Sequence, residues 1–425
     1  MELTAEEQKM LDGSRGKGNR LAMEILVKMG ELYGAQRFLP VKNAHIDAAA
    51  YTTIWDAGIE FLELLAEQGA AFAVPTTINP LSRDIQQWEE LGTSSEFAAK
   101  SKRIEDTYLR MGVLPTWTCA PYQCTNVPGF KEVVSWSESN AVNYVNSVIG
   151  ARAERLPDLV DVCCAVTGRV PEYGLYLDKN RRGDSLFLLE GFDDTWFTDS
   201  VDYAVLGYYV GEIAVNKVPV IEGLPSRTGP DNLKAFSAAS ASGGAVALFH
   251  AVGFTPEAKT REEAFLGKAD YKTYLVTPKE LCDMEQRLNT AVTNKVDLVL
   301  MGCPHSSVIE MTEVAEQIKG KHVMDGTRFW IMTNETQYNL ALRKGTVKIL
   351  TDAGVVITRD TCMMEMDEGS GRWKGQTVVT NSGKVAQYAP GINQVHIRMA
   401  STKNSVEAAV TGQFTKEERH GYHGL

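Results

Sequence analysis

The chain has no apolar run long enough to cross a membrane. A spanning helix needs roughly 18 or more consecutive apolar residues; the best stretch, AVALFHAVGF at 245–254, is too short and contains a histidine. Positive charge is scarce as well, with 43 Lys and Arg against 54 Asp and Glu and a formal net charge of −11. That argues against a general nucleic-acid binder, whose affinity rests on neutralising phosphates. The N-terminal MELTAEEQKML lacks a basic segment leading into an apolar one, so no secretory signal is read and a cytoplasmic protein is expected. There is no CxxC pair, no repeat period and no low-complexity tract. Seven cysteines is an odd number, in a long chain without export signals. A disulfide framework is therefore not expected, which leaves thiol chemistry, metal binding or plain packing.

What is present is enough apolar sequence, 44% of 425 residues, for a large core and about two to four domains. Thr4 followed by Glu7 reads as a capping box, and a second helix is expected over 18–33. Strand-like runs then alternate with helix-like ones. AAFAVPTT precedes a helix around 84–91, SLFLLEGF one near 200–213, VPVIEGL leads to DNLKAFSAAS and KTYLVT to PKELCDMEQRL. VDLVLMG leads to SVIEMTEVAEQI, RFWIMT to ETQYNLALRKG, VVITRDT to a loop, and VHIRMAS to a helix near 406–411. Such alternation indicates α/β architecture with largely parallel sheets. Loops are expected at 123–129, 178–185 and 367–375, and a polar, fraying tail at the C-terminus.

In open α/β sheets, ligands lie outside the carboxyl ends of the strands. Cys303, after the strand expected at 296–301, and Cys362, after the one at 355–358, hold such positions. In GCPHSS, Pro304 stiffens the turn, and Ser306 or Ser307 caps the next helix. Cys119 in PTWTCAPYQ has a similar loop setting, whereas Cys163, Cys164 and Cys282 lie in helical stretches and read as packing. Thiolates from separate loops are the usual holders of iron–sulfur clusters, and a set of three leaves one iron open. From spacing alone this signal is weak.

Several stretches together resemble the large subunit of aconitase X, an iron-dependent dehydratase branch of the aconitase superfamily. They are AHID at 44–47, GIEFLELLAEQGA at 58–70, VPTTINP at 74–80, TCAPY at 118–122 and WSESNAVNYVNSVIGAR at 136–152. TGRVPEYG at 167–174, GCPHSS at 302–307, the cysteine after TRDT at 358–361 and TNSGKVAQYAPG at 380–391 follow in the family's order. The resemblance implies an aconitase-like fold: multi-layer α/β domains, the family's first three, around a central crevice. It implies an iron centre on Cys119, Cys303 and Cys362, as a 2Fe–2S or 4Fe–4S cluster or a mononuclear iron, with Cys124 in reserve. It implies a substrate pocket built from His45, Asp47, Ala48, Ala49 and Ala50, from Asn79 and Pro80, from Glu138 and Ser139, and from Lys384. Many relatives have Gly and Ser where this chain has Ala48 and Ala50, which reshapes the pocket there. The family's catalytic serine sits on a swivelling domain, and no room for one is read here, so a small partner subunit is expected to supply it.

The same residues suit removal of water from a small hydroxy acid. The hydroxyl leaves only when an acid or a metal takes its charge, and the neighbouring C–H needs a base. The negative charge that develops needs donors such as Lys384, although a solvated helix-start lysine is the plain reading of that residue. His305 could orient a water or a carboxylate, or serve as a cap or an outer-shell partner. Glu138 could pair with His45 or with the leaving hydroxyl, or simply favour a helix N-terminus. Known relatives dehydrate cis-3-hydroxy-L-proline or mevalonate 5-phosphate. Asp47 and RLPDLVDVCCAVTGRVPEYG look more like the first branch, while Arg152 and Arg155 could serve the phosphate of the second. A non-catalytic iron-binding regulatory subunit is the rival from another class, and a Cys303–His305 thiol nucleophile is a minor enzyme alternative. GSRGKGNR at 13–20 and SGGAVAL at 242–248 lack the flanking structure that would make them functional motifs, and the Arg182-Gly183-Asp184 triplet, which would suggest cell adhesion only in an exported protein, reads as a charged loop.

Overall fold

The computed structural model describes residues 1–366 and 373–415. The loop expected at 367–375 therefore lies mostly outside the described residues, and the tail at 416–425 lies wholly outside them. The chain divides into two compact units, Met1–Arg182 with Asp360–Asp367, and Gly183–Arg359 with Glu368–Leu425.

In the first unit the strands are short: β1 (Phe38–Pro40), β2 (Ala44–Ile46), β3 (Thr76–Ile78), β4 (Ser135–Trp136) and β5 (Arg169–Pro171). β3, β2 and β4 form a parallel sheet in that order, and β1 pairs antiparallel with β5. Thr4 and Glu7 form the expected capping box, with Thr4 N–H donating to Glu7 at 2.8 Å. The Lys17–Leu32 helix buries Ala22, Met23, Leu26 and Gly30, a stripe at three- and four-residue spacing. That stripe joins a core with Ile46, Ile59, Leu62, Cys163 and Cys164. Each large apolar side chain buried this way contributes roughly 1.5–3 kcal/mol.

Two expectations fail here. The strand read over AAFAVPTT shrinks to Thr76–Ile78. Pro75, just before it, has no N–H to donate to a ladder. The helix expected around 84–91 is a series of turns. There the Asp84 carboxylate accepts the amides of Gln86 and Gln87, both at 2.8 Å, and competes with helical pairing.

The second unit holds β6 (Ser185–Leu189), β7 (Pro219–Glu222), β8 (His250–Ala251) and β9 (Lys272–Val276), parallel in the order β8-β7-β6-β9. A five-stranded parallel sheet follows, built from β10 (Leu298–Met301), β11 (Arg328–Thr333), β12 (Val356–Arg359), β13 (Thr377–Thr380) and β14 (His396–Met399). Its order is β12-β11-β10-β13-β14. The chain runs outward from β10 to β12, then returns to the other flank of β10, so the topological switch point falls between β10 and β13. The helices leaving those two strands have different neighbours. Val308–Ile318 packs on Thr346–Asp352 and Thr402–Thr411, whereas Gly383–Ile392 packs on Ser200–Ala214 and Pro230–Gly243. The last two helices touch backbone to backbone. A Cβ at Gly207 would lie 2.5 Å from the Phe236 carbonyl, and one at Gly211 would lie 2.6 Å from that of Ser240. Among the described residues no helix is long and apolar enough to cross a membrane.

Candidate functional site

In the first unit, the segments read from sequence as substrate-binding all leave the carboxyl ends of adjacent parallel strands. Asp47–Ala50 follows β2, Asn79 and Pro80 follow β3, and Glu138 and Ser139 lie just beyond β4. The turn after β2 is fixed from several sides. Asp161, on the Val160–Thr167 helix, accepts the Asp47 amide at 2.7 Å and the Ser137 hydroxyl at 2.6 Å. Tyr108 donates its hydroxyl to the Ala48 carbonyl at 2.6 Å, and Ser82 accepts the Tyr51 amide at 2.7 Å. The Asn79 side-chain amide donates to Asp47 Oδ1. Ala48 and Ala49 belong to the hydrophobic core.

His45 is fully buried on β2, with Nδ1 2.9 Å from the Thr77 hydroxyl and Nε2 without a hydrogen-bond partner. Burial drives its pKa down to about 3, weakly opposed by the Asn79 side chain, so the ring is neutral across ordinary pH. Glu138 is a buried N-cap: it accepts the Ala141 amide at 2.7 Å and the Asn140 side-chain amide. The same Asn140 amide group donates to the Cys119 carbonyl at 2.8 Å, tying the capped helix to the first cysteine loop.

Cys119 and Cys362 lie in the first unit and Cys303 in the second. Each is half-buried and reached through a residue in the left-handed region: Trp117 (φ 38°) before Cys119, Gly302 (φ 93°) before Cys303 and Asp360 (φ 60°) before Cys362. Such backbone conformations cluster where geometry is imposed by function. Cys163 and Cys164 differ in every respect. They are helical and buried, and burial pushes the Cys163 thiol up to about 12 and that of Cys164 well above its ordinary value. They are packing residues, as their sequence context predicts.

Cys303 opens the crevice of the second unit at the β10–β13 switch point. A Cβ on Gly302 would sit 2.1 Å from the Met332 carbonyl oxygen, so only glycine fits between β10 and β11 there. Pro304 follows through a cis peptide bond. The turn's carbonyls are held from beneath, Cys303 O by the Ser382 hydroxyl and His305 O by the Lys234 ammonium at 3.2 Å. Ser307 caps the Val308–Ile318 helix in a capping box with Glu310. The adjoining cavity, about 410 Å³, is lined among others by Cys303, Pro304, Lys234, Glu310, Glu313 and Ser382. His305 is buried, and Lys384 is the second residue of the helix that Ser382 caps. Lys234 is 1% exposed and pairs with Glu310 at 2.5 Å and Asp231 at 3.2 Å. Burial alone would lower its pKa, but these two carboxylates outweigh that and hold it above the ordinary value.

Among the described residues, no three His, Cys, Asp or Glu side chains form a group that could hold a metal ion. The individual donors nevertheless suit iron. Cys119, Cys303 and Cys362 are half-buried loop thiols, whereas the thiols made inert by burial lie elsewhere. Sequence reading missed Asp161, Lys234 and Ser382. An acid and a lysine inside otherwise apolar or small-residue stretches, VDVCC and LKAFSAAS, were the available signals, and Asn-Ser-Gly was a legible helix start.

Strand-end loops with cysteine, acid and amide side chains, on two parallel α/β units, define a multidomain α/β protein of the enzyme type. Family models of aconitase X match in chain order: its first domain at residues 1–179, its second at 187–286 and its third at 296–411. The chain belongs to the aconitase X family. It is 38% identical over 413 residues to a cis-3-hydroxy-L-proline dehydratase of Pseudomonas aeruginosa, spanning 97% of this chain and 70% of that one. It is 36% identical over 393 residues to a phosphomevalonate dehydratase large subunit of Methanocaldococcus jannaschii, spanning 92% of this chain and 95% of that one. The crystal structure of aconitase X from Thermococcus kodakaraensis, in its holo-form, superposes with a TM-score of 0.85 at 33% identity, covering 96% of this chain and all of that one.

Proposed function

We propose that this chain is the large subunit of a hydro-lyase acting on a small hydroxy acid, with cis-3-hydroxy-L-proline as substrate. The observation that carries the reading is the placement of Asp47–Ala50, Asn79–Pro80 and Glu138–Ser139 beyond the ends of three adjacent parallel strands. The choice of substrate follows from charge. A cyclic amino acid brings an ammonium, for which Asp47 is a natural acceptor. A phosphate would want cationic donors, and the two basic residues named for it are already engaged. Arg152 binds Asp178 at 2.7 and 3.0 Å, and Arg155 binds Glu154 at 3.2 Å.

Cys119, Cys303 and Cys362 would hold the iron centre, 2Fe–2S, 4Fe–4S or mononuclear. When bound, it supplies Lewis acidity toward the substrate hydroxyl. Asp47, Asn79 and Ser139 bind and orient the substrate. Glu138, whose Oε2 caps its helix and whose Oε1 accepts the Ser139 hydroxyl at 3.3 Å, would hold a proton beside the substrate. His305 orients a water or a carboxylate, and Lys384 donates to the charge that develops on the acid. His45 stays neutral and supports the strand ends from behind. A small partner subunit carrying the swivelling domain and its catalytic serine completes the cytoplasmic enzyme, in keeping with relatives named as large subunits.

The deciding experiment is an anaerobic dehydration assay of the iron-loaded chain with its small subunit, offering cis-3-hydroxy-L-proline and mevalonate 5-phosphate in parallel. Turnover of the first supports the reading. Turnover of mevalonate 5-phosphate alone overturns the substrate, and turnover of neither, with iron bound, leaves the regulatory-subunit rival standing.

A further inference from the structure

Asp161 is a carboxylate with 0% exposure, and among the described residues no Lys or Arg pairs with it. An ionised carboxylate buried this way is costly unless other dipoles replace its water. Here the compensation is a set of donors from three segments. Oδ2 accepts the Asp47 amide at 2.7 Å and the Ser137 hydroxyl at 2.6 Å, and Oδ1 accepts the Val162 amide at 2.7 Å. The Ala48 amide adds a further bond. Only the Val162 contact lies within the helix that carries Asp161. The others reach across to the turn after β2 and to the segment after β4.

Elsewhere in the turn the Ala49 amide donates to Asp47 O at 2.6 Å, the Tyr51 amide donates to Ser82 Oγ at 2.7 Å, and Ser137 Oγ is a second, longer acceptor for Asp47 N–H at 3.2 Å. Ala50 starts the Tyr51–Glu67 helix without a side-chain cap, and Ala48 and Ala49 carry no polar side chain of their own. Tyr108 takes the turn's carbonyl side through Ala48 O, and Asn79 takes the Asp47 carboxylate. Two consecutive amides, those of Asp47 and Ala48, converge on the Asp161 carboxyl group, whose pKa burial raises and these donors pull back.

We infer that Asp161 is a positioning residue, a buried carboxyl group that gathers the Asp47 and Ala48 amides and the Ser137 hydroxyl and so aims the Asp47 carboxylate at the ligand. This rests on the reading of Asp47–Ala50 as substrate-binding, and it adds the group that sets that segment's geometry. Asp161 touches no substrate. Its effect passes through the turn.

The test uses the full chain, first without any ligand. In Asp161→Asn the amide's own N–H groups face the same donors, so one side of the nest is lost. Residue-resolved hydrogen–deuterium exchange is expected to speed up at the Asp47 and Ala48 amides by about tenfold or more, with the Pro278–Leu288 helix of the second unit unchanged. Calorimetric titration with cis-3-hydroxy-L-proline is then expected to weaken by about tenfold, the scale at which small misplacements act. Asp47→Asn is expected to weaken that titration while leaving exchange at the Ala48 amide as in the parent. Unchanged exchange at both amides in Asp161→Asn would overturn the inference. Faster exchange with titration unaffected in both variants would instead overturn the substrate reading and leave the positioning intact. Should Asp161→Asn fail to fold, Asp161→Glu, which moves the carboxylate by one methylene, and Ser137→Ala carry the exchange test. No rise at the Asp47 and Ala48 amides in Asp161→Glu would then decide against the inference.

Discussion

Cys119 and Cys362, far apart in the sequence, hang from the two ends of one four-residue stretch. The Thr118 amide donates to Ile78 O at 2.9 Å, and the Cys362 amide donates to Leu81 O at 3.1 Å, beside a parallel bridge between Leu81 and Thr361. The stretch between them contains Asn79 and Pro80, so two proposed ligands and two proposed substrate contacts share one backbone. Replacing Cys119, Cys303 or Cys362 by Ser is therefore expected to remove most of the bound iron and the visible absorbance of anaerobically purified protein. Cys163→Ser should leave both in place. Iron per chain and the absorption spectrum check this, and a Cys303→Ser protein that keeps its full iron content would count against the ligand set.

Gly302→Ala should be among the most damaging single-atom changes in the chain. The added Cβ meets the Met332 carbonyl, and the residue sits at φ 93°. Clash and backbone strain together should cost about 3 kcal/mol or more, read as a shift in urea midpoint. Gly320→Ala, also at positive φ but with nothing near its Cβ, isolates the backbone share.

Lys234→Met leaves Glu310 and Asp231 without their shared cation in a buried place. Truncating one partner of such a group costs about 3–5 kcal/mol, whereas replacing charges by apolar groups together is far milder. The double variant Lys234→Met, Glu310→Met should accordingly recover a substantial part of the loss. Equal instability of the single and double variants in urea titrations would show that the Lys234–Glu310 pair is not the source.

His45 makes stability depend on pH in a defined direction. Its folded pKa is depressed from 6.5 to about 3. Below pH 6.5 the unfolded chain takes up a proton that the folded chain refuses. The contribution is thus complete above pH 6.5 and is lost as pH falls toward 3, by at most about 1.4 kcal/mol per unit. His45→Gln should flatten that acid limb in urea midpoints measured from pH 7 to pH 4. An acid limb as steep as the parent's would assign it to other groups.

Strong periodic segments were legible in the sequence. SLFLL, KTYLV, LVLM and RFWIMT are strands where alternation with helices placed them, and PKELCDMEQRL is a helix with its own capping box. Ser307 caps its helix because its hydroxyl accepts the Glu310 amide while the Glu310 carboxylate accepts the Ser307 amide. The first unit was harder, since strands of two or three residues carry too little pattern to read. Of the site, the strand-end positions were legible because turn chemistry is local. Asp161 and Lys234 were not, because what makes them matter is burial and partners that only the fold assembles: Asp47 for one, Glu310 for the other.

The return of residues 360–367 to the first unit has a consequence for biosynthesis. Leu81 leaves the ribosome hundreds of residues ahead of the Asp360–Cys362 segment that satisfies its N–H and C=O groups. The first unit cannot finish its own hydrogen bonding until most of the second has been translated. Cutting the gene after Arg182 would yield a fragment whose Leu81 N–H and C=O groups lack their partners, a place where nascent chains can pair with one another.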